Sequence, residues 1–300
     1  MFARTSLVRT AQVFCVGITA ALAVPAAPAA AATINVACNQ TALVNAINTA
    51  NGTTASDTLN LSPHCTYLLT SELPAITSTI AINGANSTLR RAAGTFRILT
   101  VNGGDLTLRT TVVEGGDATG SPVASGAGGG IVVTGNGRLT LIAGTLRSNV
   151  ANFGGGLSVF SGSQAVVRAS TVTGNTANNN GGGIVSDGTV TVIASSITEN
   201  TAGNAGGGIA SIGTLTVNST DITGNVATTG AGVANGVPGI QAGTAAFTAT
   251  SITGNAAVTV GGVYNNNPAA GAVRLTATRV VNNIPNNCLT SPNPVPGCVG

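Results

Sequence analysis

Lysine and tryptophan are absent from this chain of 300 residues, histidine occurs once, tyrosine twice, and charged residues make up only 6%. Each shortage closes off a class of function. With no basic cluster, and little net charge once the first segment is removed, nucleic acid is not an expected partner. With His64 as the single imidazole and no cysteine pair in CxxC spacing, no metal or cofactor site is expected. Sugar-stacking aromatics reduce to Tyr67 and Tyr264. After the first segment, no stretch reaches the roughly 18 uncharged apolar residues that a membrane span needs. Disorder is excluded as well, because it goes with low hydrophobicity and high net charge, whereas 43% of this chain is hydrophobic.

What the chain has instead is glycine, 42 residues of it, together with much Ala, Thr and Asn. Residues 1–32 read as a secretory signal: Arg4 and Arg9 form a charged start, Ala11 to Val24 an apolar stretch, and Pro25 to Ala32 a small-residue run with Ala-x-Ala cleavage options. Cys15, behind the bulky Phe14, fits a lipid-attachment site poorly. Removing the segment takes two of the 11 Arg and leaves nine against eight acids, close to neutrality. The expected location is extracellular, either released or held at the cell surface. Four cysteines remain, an even number suited to an oxidising destination. Pairing Cys38 with Cys65 and Cys288 with Cys298 would brace the two ends, at about 3 to 4 kcal/mol each on the chain-entropy model.

One frame recurs along the chain: two apolar residues separated by one, a third five further on, then Asn three after that. The Asn positions are Asn149, Asn175, Asn200, Asn225, Asn255 and Asn283. At minus-10, minus-8 and minus-3 stand, for example, Val190, Val192 and Ile197, or Leu215, Val217 and Ile222. A weaker copy has Leu106, Leu108 and Val113, with Gly116 in the Asn place. A spacing of 25 to 30 residues belongs to stacked repeat architectures. Within one copy, Leu215-Thr216-Val217 alternates with the period of a strand buried on one face. Small residues at minus-6 and minus-5 mark a turn, a short second strand ends at Asn, and Gly runs such as Gly181 to Gly183 precede a third. Three short strands per coil predict a parallel β-helix.

In such a coil each residue stands about 4.8 Å from its equivalent in the next. The Asn column is therefore predicted to be a structural amide ladder, its side chain also tolerating a left-handed corner. The register places Asp105 against Arg138 and Glu114 against Arg147 on adjacent coils. It also puts Thr173, Thr198, Thr223 and Thr253 outward at minus-2. Asn39 to Gly52 reads as a capping helix with Asn39 as N-cap, and the four prolines from Pro285 to Pro296 end the stacking. The expected organisation is a signal peptide at 1–32 and one β-helix domain at 33–300. That domain divides into an N-terminal cap and first coils (33–105), regular coils (106–284) and a disulfide-braced C-terminal cap (285–300).

These residues resemble secreted bacterial right-handed parallel β-helix repeat proteins. The GGGI or GGGL runs followed by TGN are also similar to the repeats of polymorphic outer-membrane proteins and related adhesins, although the place three before Asn holds Leu, Val or Ile and never Phe. The segment from Cys38 to Tyr67 resembles the cap that precedes such repeats. The resemblance implies the fold; its function ranges over lyases, hydrolases, adhesins and structural proteins. A lyase or hydrolase would need clustered carboxylates, and in register the eight acids scatter, with Glu114 and Asp117 the nearest pair. The expectation is a non-enzymatic interaction or adhesion module with no catalytic residues, binding an unidentified cell-surface protein or polysaccharide. A divergent polysaccharide lyase or glycoside hydrolase is the alternative, with ice or surface binding through the Thr columns behind it. If an active site exists, the irregular loops at Glu114 to Gly126 and Asn235 to Thr244 are where it would assemble.

Overall fold

A computed structural model describes residues 30–240 and 243–299. The first 29 residues of the expected signal segment, Cys15 included, lie outside the described residues. The described chain is a parallel β-solenoid of about nine turns.

Each regular coil contributes to four strand columns. The first runs from Thr33–Val36 through Asp57–Leu61, Arg138–Ile142, Gln164–Arg168, Thr189–Ile193, Thr214–Asn218 and Thr244–Thr248 to Val273–Thr276. In the early coils it merges with the second column in two long strands, Thr79–Arg91 and Asp105–Glu114. The second column continues as Thr145–Arg147, Thr171–Thr173, Ser196–Thr198, Asp221–Thr223, Ser251–Thr253 and Arg279–Val281. Ile197, Ile222 and Ile252 align and are fully buried, while Thr198, Thr223 and Thr253 face outward and are half-buried. Val190, Val192 and their equivalents fill the same interior.

Three strands per coil was one too few. Where a polar turn was expected after Asn, a two-residue strand forms, as in Val150–Ala151, Thr176–Ala177 and Thr201–Ala202, and these pair in parallel. Ala151, Ala177 and Ala202 point inward here, small enough for a corner where two faces meet. The fourth column, after the Gly run, holds Leu99–Asn102, Ile131–Thr134, Leu157–Val159, Ile184–Ser186, Ile209–Ser211, Val233–Asn235 and Val263–Asn265.

The Asn column is an uninterrupted ladder inside the solenoid. Asn175 Nδ2 donates to Asn200 Oδ1 at 2.9 Å and to the Leu146 carbonyl at 3.0 Å, and its backbone N–H donates to the same Oδ1 at 3.0 Å. The pattern repeats from Asn149 to Asn283, each amide fully buried or nearly so and its polar atoms bonded. Gly116 N–H donates to Asn149 Oδ1 at one end, and Asn287, missed in the sequence, receives Asn283 Nδ2 at 3.0 Å at the other. The left-handed backbone is not at Asn, as expected, but one residue earlier: Ser148, Gly174, Glu199, Gly224, Gly254 and Asn282 have φ between 54° and 68°. That preceding residue absorbs the corner, which leaves the Asn backbone in an ordinary conformation with its amide turned inward.

The minus-6 residue takes the same role at the other corner, with φ near 50° at Ala143, Ala169, Ala194, Ser219, Ala249 and Ala277. The minus-5 hydroxyls form a second ladder: Ser170 N–H donates to Ser195 Oγ at 3.1 Å, and Gly144 N–H to Ser170 Oγ at 3.1 Å.

The helix Gln40–Asn51 lies across the N-terminal end, with Leu43, Ala46, Ile47 and Ala50 buried in the solenoid core. Asn39 Oδ1 caps it by accepting from Ala42 N–H at 2.8 Å. Gln40 and Asn51 tie its ends to Thr70 and Thr77. A strand not foreseen, Thr33–Val36, precedes it and forms the outermost rung of the first column. Cysteines pair as Cys38–Cys65 and Cys288–Cys298, with Cα separations of 5.8 and 6.3 Å. Val295 and Cys288 seal the C-terminal end, where Asn265 Nδ2 donates to the Pro294 carbonyl at 2.9 Å.

Candidate functional site

Four of the eight carboxylates, Asp57, Glu72, Glu114 and Asp117, have partners within the chain, while Glu199 and Asp221 stand exposed on the surface of the solenoid. Asp57 is fully buried and accepts from Ala32 N–H and Thr53 Oγ1. Glu114 pairs with Arg147 at 3.0 Å across adjacent coils. Asp117 folds back on Thr119, so the nearest acid pair in sequence is divided between two structural tasks. Glu72 lies 3.7 Å from the buried Arg97 and accepts from Thr100. Burial lowers the Arg97 pKa, partly offset by Glu72. Asp105 and Arg138 share a register position but form no ion pair; Arg138 reaches the next coil instead and donates to Gln164 Oε1 at 3.2 Å. Among the described residues, no three His, Cys, Asp or Glu side chains converge as metal ligands would. His64 is exposed in a left-handed turn beside Cys65.

The tyrosines provide no platform. Tyr67 is fully buried and its hydroxyl donates to the Val36 carbonyl at 2.9 Å. Tyr264 is nearly covered, packed with Ala210, Ala234 and Val237.

Asp187 borders a mainly apolar concavity. Outside the fourth column, the outward residues Ser158, Val185 and Ala210 align on successive coils and make a floor. Phe160, Asp187 and Ile212 follow the three strands and stand above one another along one wall, joined through Asp187 N–H to the Val159 carbonyl (2.9 Å) and Ile212 N–H to the Ser186 carbonyl (2.9 Å). The opposite wall has Ala127, Phe153 and Asn180, which precede the Gly runs. The groove encloses about 270 Å³ and its surface is mainly apolar.

Its two ends are closed by the loops singled out in the sequence. The turn Val123–Gly126, left-handed at Ala124 and Ser125 (φ 53° and 52°), brings these two residues to one end. At the other, the turn from Val237 to Ile240 is held by Asn266 Nδ2, which donates to both their carbonyls at 2.8 and 2.9 Å. Glu114 and Asp117, the nearest acid pair in the sequence, are not part of it. Asp187 is the one charged side chain of the lining, and among the described residues its carboxylate has no hydrogen bond or ion pair. Although open to solvent, it is flanked by apolar walls whose desolvation pushes its pKa above the usual carboxylate range.

Sequence reasoning recognised neither Asp187 nor the groove. A usable signal existed: of six phenylalanines, two bracket a single Gly-run strand, Phe153 before Gly154 and Phe160 after Val159. No family model, curated protein or solved structure matches the chain.

Proposed function

We propose that the chain is a secreted, non-enzymatic β-solenoid that acts as an extracellular or cell-surface interaction module, with the groove over the fourth column as its contact surface. The observation that carries this reading is the groove itself, which spans three coils and presents apolar walls around a single carboxylate. Glycoside hydrolysis asks for two carboxyl groups about 5 to 9.5 Å apart across the scissile bond. A lone acid without a second acid, base or metal-ligand cluster beside it suits contact better than bond cleavage. The four outward Thr of the second column supply a regular but ordinary strand surface.

The test is direct. Purified mature protein incubated with polygalacturonate, alginate and related glycans, with and without Ca²⁺, is expected to release neither reducing ends nor unsaturated products. Turnover that disappears in Asp187→Ala, while thermal unfolding stays unchanged, would replace this reading with the lyase or hydrolase alternative. Comparing whole cells with culture supernatant then separates a surface-held module from a released one.

A further inference from the structure

We propose that the groove receives a cationic side chain, a Lys or Arg in an extended segment of a partner protein, with its aliphatic stem between Phe153 and Phe160 and its charged head at Asp187. The inference rests on the interaction-module reading and names the chemistry that the groove would select.

Charge complementarity is the first argument. Among the described residues the lining holds one acid and no base, and the acid has no hydrogen-bond or ion-pair partner. A carboxylate beside apolar walls loses hydration without compensation, and an incoming ammonium or guanidinium supplies the missing charge-assisted contact.

The arrangement of the apolar groups is the second. Phe153 and Phe160 flank the same strand, Leu157–Val159, one on each wall, with the small Ser158 between them as floor. A flexible, unbranched alkyl stem fits a slot with aromatic sides, and a cation near an aromatic face gains further attraction. Asp187 stands on the next coil, about 4.8 Å along the axis, a step that the four-carbon stem of lysine can bridge. A glycan, which needs many hydrogen-bonding partners around its hydroxyls, finds a surface that is mainly apolar, with Val185 and Ala210 in the floor and Ile212 in the wall, and only Ser and Asn side chains beside Asp187 as polar groups.

The pH dependence follows with a definite sign. The cation binds the ionised form of Asp187, so affinity is full above its raised pKa and falls as pH drops through it. Among the described residues, no other titratable or charged side chain lines the groove to confuse this dependence.

The experiment titrates the purified mature protein with N-acetyl-lysine methylamide, its norleucine counterpart and cellotriose, following backbone amide shifts by NMR. The lysine probe is expected to give saturable shifts centred on Phe160, Val185, Asp187 and Ala210. Binding should weaken about tenfold or more in Asp187→Asn, for the norleucine probe, and on acidification. Phe160→Ala should weaken it too, with the fold intact by circular dichroism. Equal binding of lysine and norleucine probes, an unaffected Asp187→Asn, groove shifts from cellotriose alone, or no groove shifts at all would overturn the proposal. None of these produces glycan turnover, so loss of the cation site and loss of the non-enzymatic reading remain separate results.

Discussion

At the scale of single residues, the Asn ladder concentrates several buried hydrogen bonds in one side chain. Asn200 accepts from Asn175 N–H and Nδ2 and donates to the Val172 carbonyl and Asn225 Oδ1. Truncation to Ala leaves those groups buried without partners, at about 1 to 3 kcal/mol for each that water cannot reach. Asn200→Ala is therefore expected to lower stability by about 3 kcal/mol or more, read from the midpoint of urea unfolding. Thr198→Ala, two residues away but facing outward, should stay within about 0.5 kcal/mol. Equal effects at the two positions would contradict the ladder's role. Glycine is required at Gly182 for a different reason. A Cβ there would lie 2.5 Å from the carbonyl oxygens of Gly207 and Thr201, both fixed backbone. Gly182→Ala should thus cost about 1 to 3 kcal/mol or more by overpacking, even though alanine ordinarily favours order over glycine.

At the scale of elements, the helix and the C-terminal loop matter because a solenoid cannot close on itself. Both of its ends expose apolar interior and a strand edge that would pair with another chain. Helix Gln40–Asn51 covers the core at one end with Leu43 and Ile47, both fully buried. Leu43→Ala is expected to destabilise by about 2 to 5 kcal/mol, and to raise light scattering at temperatures where the parent protein remains monodisperse. The same substitution at the exposed Leu289 should do neither. At the other end, Asn287 terminates the amide ladder and Val295 covers the last coil. Deleting residues 285–300 should therefore produce a protein that associates with itself, seen as concentration-dependent mass by sedimentation.

At the scale of the whole molecule, repetition makes each coil depend on its neighbours, so stability is built from coil-to-coil interfaces rather than from one central core. The two disulfides lie at opposite ends of that stack. Peptide mapping of the unreduced protein should recover Cys38 with Cys65 and Cys288 with Cys298, and a bridge from one end to the other is incompatible with the linear stack. Reduction is expected to lower the unfolding temperature without abolishing the β spectrum, because the middle coils contain no cysteine.

The repeat period, the inward columns and the pairing of Glu114 with Arg147 were legible in the sequence. Stacking in register makes position within a coil equivalent to position in space, and a fixed offset from Asn carries that information. The helix and its Asn39 cap were legible for a local reason, since capping and a buried face depend on residues within a few positions. The two-residue strands were hidden because Thr-Ala or Val-Ala is too short to show a period. Nor could the sequence reveal which corner residue turns left-handed, since Ser, Gly, Glu and Asn all occupy the place before the ladder Asn. The groove was decided by tertiary structure alone. Phe153, Phe160, Asn180, Asp187 and Ile212 come from three coils, and they form walls because the outward side chains between them are small and the two irregular loops close the ends. Sequence fixes which column a residue joins; the curvature of the coil and the path of its loops determine whether that column faces water, a neighbour or a ligand.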